Sequence, residues 1–345
     1  WGIPYGAVMM GVKMVFPGPH LHPDDLLDLM TQEPPTLALG VPTIWLGLIQ
    51  TYDQSLQPGS PNAGRWKLPK GMKSLVGGAA VPESLIRAFD AHGIWILQGW
   101  GMTETSPVAT ISYPRAELRG VDPDERYRRA AMAGVPAPLV ELRTRGDDGT
   151  DQPWDGHSVG EIQVRGPLIT GGYHQVGSAE DKFTADGWLR TGDVGTVDAD
   201  GFYRITDRMK DIIITAGGKN ITPSELENEL KFSPYITDAV VIGDKLPYLT
   251  VIIMIDQENV EKFAQDADIP FSNYASLTRA PEVQELIQKE IDRVNQKFAR
   301  VEQIKKVFLL DTQLSAEDEE LTPTMKLKRQ LVQTKYAPKI EAMYR

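Results

Sequence analysis

The chain has 345 residues, a formal net charge of −11, 41% apolar residues and no cysteine. The missing cysteines exclude disulfides, thiolate metal sites and Cys nucleophiles, and the acidic balance argues against a nucleic-acid binder, which needs clustered Lys and Arg against phosphate. No window approaches the roughly 18 uninterrupted apolar residues that span a bilayer, so a cytoplasmic protein of two or more domains is expected, with no transmembrane segment and with peripheral membrane contact left open.

The chain starts at Trp1-Gly2-Ile3-Pro4-Tyr5-Gly6, without an initiator Met or a signal-peptide pattern, and reads as the middle of a domain. Thr36 to Leu48 mixes a β-like run with a break at Pro42. Gly71 to Gly78 predicts a strand entering a glycine turn. Pro82 to His92 carries Leu85, Ile86 and Phe89 at helical spacing, and Ile94 to Gln98 predicts a buried strand. Strands alternating with helices imply a parallel sheet with covered faces. From about 130 the pattern changes to short β-like runs, Leu139 to Arg143, Gly160 to Arg165, Gly192 to Asp198 and Tyr203 to Thr206, between Gly, Asp and Pro turns. These predict an antiparallel sheet or barrel, with Asp198-Ala199-Asp200-Gly201 as a hairpin turn. Near Arg208 a third unit begins. Thr222-Pro223-Ser224-Glu225 predicts a capping box with Pro at the first helical position. Strands at Thr237 to Ile242 and Tyr248 to Ile255 follow. Then come a helix from Pro281 with Leu286, Ile287, Ile291, Val294 and Phe298 on one face, and a strand over Lys306 to Leu310.

Six groups of residues carry chemistry. Gly77-Gly78-Ala79-Ala80-Val81-Pro82 lies between a predicted strand and helix, where small side chains let a flat ring approach the backbone. On the residues alone a plain strand-to-helix turn is the preferred reading. Gly99-Trp100-Gly101-Met102-Thr103-Glu104 offers a hydroxyl for phosphate oxygens and, in Glu104, a hard oxygen ligand suited to Mg²⁺ between phosphates. Gly187-Trp188-Leu189-Arg190-Thr191-Gly192-Asp193 offers an acceptor-only carboxylate suited to a diol. Thr206-Asp207-Arg208-Met209-Lys210-Asp211, Gly217-Gly218-Lys219-Asn220 and Leu321 to Arg329 complete the set. None of His20, His22, His92, His157 and His174 has a metal-binding spacing, and no Ser-centred nucleophile elbow is present.

In this order and separation the motifs resemble the adenylate-forming (AMP-binding) superfamily: acyl-CoA synthetases, luciferases and peptide-synthetase adenylation domains. The resemblance implies an α/β multidomain chain. It would have a partial doubly wound α/β subdomain over 1–130, a β-barrel-like subdomain over 131–207 and a small, mobile C-terminal α+β domain over 208–345. It implies a fatty-acid–CoA ligase for a medium- to long-chain carboxylic acid. ATP and the acid give acyl-AMP, and CoA then takes the acyl group. Gly78, Ala79 and Ala80 match residues lining the adenine and acyl pockets; Gly99 belongs with the cofactor-binding residues, and Trp100 matches the aromatic stacked on adenine. Thr103 and Glu104 match the phosphate and Mg²⁺ contacts, and Asp193 and Arg208 the ribose contacts. Lys210 matches the hinge, and Gly217 with Gly218 the segment lining the pantetheine tunnel. Lys328 matches the catalytic lysine, with Lys326 as the fallback register; Lys326-Leu327 stands where the common form has Ser/Thr-Gly, as in long-chain and bubblegum-type synthetases. The family's Ser/Thr/Gly-rich phosphate loop does not occur, so an N-terminally truncated chain is expected. Two alternatives stay open. One is an adenylation domain loading a carrier-protein thiol, against which the chain end at Arg345 speaks. The other is a nucleotide-binding remnant without catalysis.

Overall fold

The computed structural model describes residues 2–113, 120–175, 180–312, 314, 319, 320 and 327–345. The chain divides into two compact units, Trp1–Met209 and Lys210–Arg345.

The first unit opens with helices α1 (Ile3–Met9) and α2 (Pro23–Gln32), then alternates strand and helix: β1 (Leu37–Gly40), α3 (Pro42–Ser55), β2 (Lys73–Val76), α4 (Glu83–Ala91) and β3 (Trp95–Trp100). Pro42 starts α3, because its fixed φ suits the first helical turn and its missing N–H costs nothing there. Strands β1, β2 and β3 pair in parallel, with Gly40 opposite Val76 and Val76 opposite Gln98. Helix α4 buries Leu85, Ile86 and Phe89, and Phe89 meets Trp45 of α3 edge-on at 5.7 Å. Two short strands, β4 (Thr110–Ile111) and β5 (Val135–Pro136), extend the sheet antiparallel, with α5 (Pro123–Ala130) between them in sequence. The parallel order thus puts the ends of β1, β2 and β3 at one edge of the sheet, where loops to the following helices form.

The rest of this unit is β6 (Glu141–Arg145), β7 (Gly160–Arg165), β8 (Leu189–Val197) and β9 (Tyr203–Arg208), an antiparallel sheet in sequence order. It is open. The barrel-like expectation is corrected to a four-stranded sheet, too few strands to close around a packed interior. Its core holds Ile162, Val164, Leu189, Val197 and Tyr203, all buried. The β8–β9 turn is locked by Asp198, whose Oδ1 accepts from the amides of Asp200 at 3.0 Å and Phe202 at 2.9 Å.

The second unit begins with a turn at Met209–Asp211 and the hairpin β10 (Ile213–Ile214) and β11 (Asn220–Ile221). Helix α6 (Pro223–Lys231) follows. Thr222 makes no side-chain cap hydrogen bond, so the expected capping box is absent; Pro223 starts the helix through its preset φ. A three-stranded sheet is built from β12 (Ile236–Ile242), β13 (Leu249–Ile255) and β14 (Ile304–Leu309), the last reached through α7 (Gln257–Asp266), α8 (Tyr274–Arg279) and α9 (Pro281–Asn295). The period of two decides which face each residue serves. Val251 and Ile253 belong to one core with α6 and α9, whereas Ile252 and Met254 belong to another. That second core is closed by α10 (Arg329–Lys335) and α11 (Ala337–Tyr344) through Val332, Ile340 and Met343. Because both faces are covered, all seven residues of β13 are buried. Helix α9 ends at Asn295, and its buried stripe is Val283, Ile287, Ile291 and Val294; Leu286 is only half-buried and Phe298 lies beyond the helix.

Candidate active site

Parallel strands place the loops at their carboxyl ends side by side, and a crevice there is where an open α/β sheet takes its ligands. Here those loops are Gly77–Pro82 after β2 and Gly101–Glu104 after β3. Gln98 ties them together, since its buried side-chain Oε1 accepts the amide of Val81 at 3.0 Å. Gly78 and Ala80 are exposed and Ala79 is half-buried. Gly101 has no room for a side chain: a Cβ there would lie 1.9 Å from the carbonyl oxygen of Pro107 and 2.8 Å from Thr105 Oγ1. The loop therefore folds back tightly, and Thr105 fastens it by accepting the Met102 amide at 2.9 Å and donating to Pro107 O at 2.7 Å. The turn Thr103–Thr105 leaves Thr103 exposed and Glu104 half-buried.

Trp100, the last residue of β3, donates its indole N–H to Asp193 Oδ2 at 2.9 Å. Asp193 sits within β8, directly opposite Arg208 on β9, and Arg208 Nε lies 3.5 Å from Asp193 Oδ1. The Asp193 side chain is 13% exposed and that of Arg208 64%. The arrangement is a half-buried indole beside a shielded carboxylate, with a guanidinium reaching toward solvent. It offers an aromatic face and charge-assisted acceptors on one side of the unit. The strand β8 fixes the backbone of Asp193.

Glu104 has a partner that the motifs did not indicate. Tyr173 donates its phenol O–H to Glu104 Oε1 at 2.9 Å, and the backbone N–H of Thr170 donates to Glu104 O at 2.8 Å. Burial first, and then the neighbouring carboxylate, push the Tyr173 phenol above its ordinary range, so it stays a donor. No motif in the sequence marks Tyr173 for this contact. Among the described residues no group of three His, Cys, Asp or Glu could hold a metal ion. A lone carboxylate with one oxygen already bonded still fits Mg²⁺, which keeps waters and takes phosphate oxygens as its other ligands.

The remaining sequence-derived residues belong to the second unit. Lys210 is exposed in the turn Met209–Asp211. Gly217 and Gly218 form the tip of the β10–β11 hairpin, where the Gly218 amide donates to Thr215 O at 2.8 Å. Lys328 is exposed immediately before α10, and its Nζ donates to Glu319 O at 2.9 Å. Lys326 lies outside the described residues.

Residues 1–174 match the family model for AMP-binding enzymes, and residues 210–345 match the model for the AMP-binding enzyme C-terminal domain. A long-chain-fatty-acid–CoA ligase from Thermus thermophilus is 38% identical over 244 residues, covering 70% of this chain and 43% of that protein. A medium-chain-fatty-acid–CoA ligase from Ectopseudomonas oleovorans is 38% identical over 265 residues, covering 76% and 46%. The chain thus spans less than half the length of these curated relatives. Among solved structures, an anthranilate–CoA ligase in complex with anthranoyl-AMP aligns with a TM-score of 0.68 at 21% identity, covering 94% of this chain and 54% of the other. The adenylation domain of a carboxylate reductase from Mycobacterium chelonae aligns with a TM-score of 0.69 at 22% identity, covering 93% and 48%.

Proposed function

The chain belongs to the AMP-binding enzyme family, and from that premise we propose that it carries the nucleotide-binding and mobile catalytic parts of an ATP-dependent fatty-acid–CoA ligase. The observation that carries this reading is the convergence of Trp100, Asp193 and Arg208, from motifs far apart in sequence, into one bonded group. Adenine stacks on the Trp100 ring, and the ribose hydroxyls donate to Asp193 with Arg208 alongside. Thr103 and Glu104, at the other end of the same loop, face the phosphates. Glu104 is the residue that would hold Mg²⁺, whose charge would offset that of the phosphates.

A substrate carboxylate oxygen attacks the α-phosphorus, and pyrophosphate leaves. Negative charge grows on the α-phosphate as it does so, and a cation placed there lowers the barrier. Lys328 is assigned that task. The CoA thiolate then attacks the acyl carbon and AMP leaves, with Gly217 and Gly218 along the path of the pantetheine arm. A switch of the second unit between these steps needs a hinge of few residues. The division of the chain into compact units between Met209 and Lys210 supports Lys210 as that hinge. A medium- or long-chain acid is supported by the names of the curated relatives.

The test is a panel of carboxylic acids of graded chain length, offered with ATP, Mg²⁺ and CoA to a complete polypeptide that includes this chain, scored for AMP and for CoA thioester. Fatty acids are expected to give both products in equal amounts. AMP release without thioester, or no acid above background, would sink the proposal.

A further inference from the structure

Lys328 has an exposed side chain, yet the residues on either side of it are held to the same strand. On one side, the Leu327 amide donates to Asp238 Oδ2 at 2.8 Å. On the other, Arg329 Nη1 donates to Val241 O at 2.6 Å, and Nη2 donates to Glu227 Oε1 at 2.7 Å. Both acceptors from the strand, Asp238 and Val241, are in β12, and Glu227 projects from α6. The frame is well shielded: side-chain exposure is 5% for Asp238, 10% for Glu227 and 16% for Arg329. Its members make further contacts. Asp238 Oδ1 accepts the Ala239 amide at 2.9 Å and lies 3.2 Å from Lys231 Nζ. Glu227 Oε1 also accepts the Val241 amide at 2.7 Å. Arg329 Nε lies 3.9 Å from Asp211 Oδ1, one residue beyond Lys210.

Burying charged groups is costly, and packing alone could have closed this side of the sheet with apolar residues of like volume. The same pairs, however, fix backbone position with directional bonds on both sides of one exposed lysine. A long flexible side chain reaches a reacting phosphate efficiently only if its Cα is already placed, because each freely rotating bond upstream adds entropy to be lost. We infer that Asp238, Glu227 and Arg329 form a positioning frame for Lys328: they hold its backbone to β12 so that only the side chain has to move to reach the α-phosphate. This rests on Lys328 being the adenylation lysine, and it assigns a task to three residues outside the group formed by Trp100, Asp193 and Arg208.

The experiment uses a complete polypeptide and compares Lys328→Ala, Arg329→Lys and Asp238→Asn in two half-reactions: acid-dependent ATP–pyrophosphate exchange, and CoA thioester formation from supplied acyl-adenylate. Lysine cannot reproduce the guanidinium fork, and Asn leaves one carboxylate oxygen's bonds unmade. Both frame variants are expected to slow exchange by about 10- to 100-fold, the size of effect that an ångström of misplacement produces. The KM for ATP and thioester formation are expected to stay near wild type. Amide hydrogen exchange at residues 327–329 should rise in the frame variants while β13 stays protected. Loss of exchange in Lys328→Ala together with wild-type exchange in both frame variants overturns the frame and leaves the lysine assignment standing. Wild-type exchange in Lys328→Ala overturns both. Equal loss in the two half-reactions, with β13 unprotected, identifies a merely structural role and overturns the inference.

Discussion

The indole N–H of Trp100 and the carboxylate of Asp193 are joined at 2.9 Å across 93 residues of sequence. One end of that bond closes a strand of the parallel sheet, and the other lies within the antiparallel sheet. The bond therefore fixes the orientation of the aromatic face relative to the carboxylate. A Phe at position 100 would keep a ring face but could not donate to Asp193.

The two contributions separate by substitution. Trp100→Phe keeps a ring and removes the donor. Its KM for ATP should rise by about 3- to 10-fold, the value of one hydrogen bond. Trp100→Ala removes stacking as well and should cost about 10- to 100-fold, as loss of one base–aromatic contact does. Equal effects of the two variants in a steady-state ATP titration would show that the ring does not stack on the base.

Glu104 and Tyr173 make a second pair whose role is checked by magnesium dependence. Glu104→Gln still accepts a hydrogen bond from Tyr173 but loses the charge. The Mg²⁺ concentration for half-maximal ATP–pyrophosphate exchange is expected to rise by about 10- to 100-fold. Tyr173→Phe leaves the carboxylate unoriented and should shift the midpoint in the same direction by about 10-fold or less. A lower rate at every Mg²⁺ concentration with an unmoved midpoint would remove Glu104 from the metal site.

The fold was legible wherever one physical signal dominated. Leu85, Ile86 and Phe89 gave α4 by spacing, and Asp198 to Gly201 gave its hairpin by turn chemistry. What was illegible depended on partners distant in sequence. Tyr173 carries no motif of its own and gains meaning only because the fold sets it against Glu104. The capping box at Thr222 failed because the Thr222 side chain makes no cap hydrogen bond, which depends on its rotamer and not on the residue types alone. The barrel expectation failed because alternation reports that a strand has one buried face, whereas closure depends on how many strands there are and how far they are sheared. Arg329 entered the sequence reading only as the end of the Leu321 to Arg329 segment, yet its guanidinium bonds Glu227 and Val241.

The two cores of the second unit predict where its stability resides. Ile253 is fully buried between β12, α6 and α9, and Ile252 is fully buried on the opposite face. Either residue replaced by Ala should destabilise the unit by about 2–5 kcal/mol, the range for deleting a buried aliphatic side chain. Chemical denaturation followed by a probe in the second unit measures this. A loss under about 1 kcal/mol at both positions would mean that the sheet is not packed on both faces.

Gly218 allows the second half-reaction to be tested apart from the first. Its φ is +76°, and a Cβ built there meets no atom within 4 Å. Substitution therefore meets backbone strain, about 1–2 kcal/mol for most residues, and no clash inside the unit. Asn tolerates the left-handed region and serves as the control for strain. If the pantetheine arm passes this hairpin tip, Gly218→Leu should lower thioester formation from supplied acyl-adenylate by about 100-fold. ATP–pyrophosphate exchange should stay within about two-fold of wild type, because blocking an arm that enters only for the second step leaves the first barrier unchanged. Gly218→Asn, with a shorter side chain, should fall between. Loss of exchange with thioester formation intact would place the tip at the nucleotide instead and remove Gly217 and Gly218 from the thiol path.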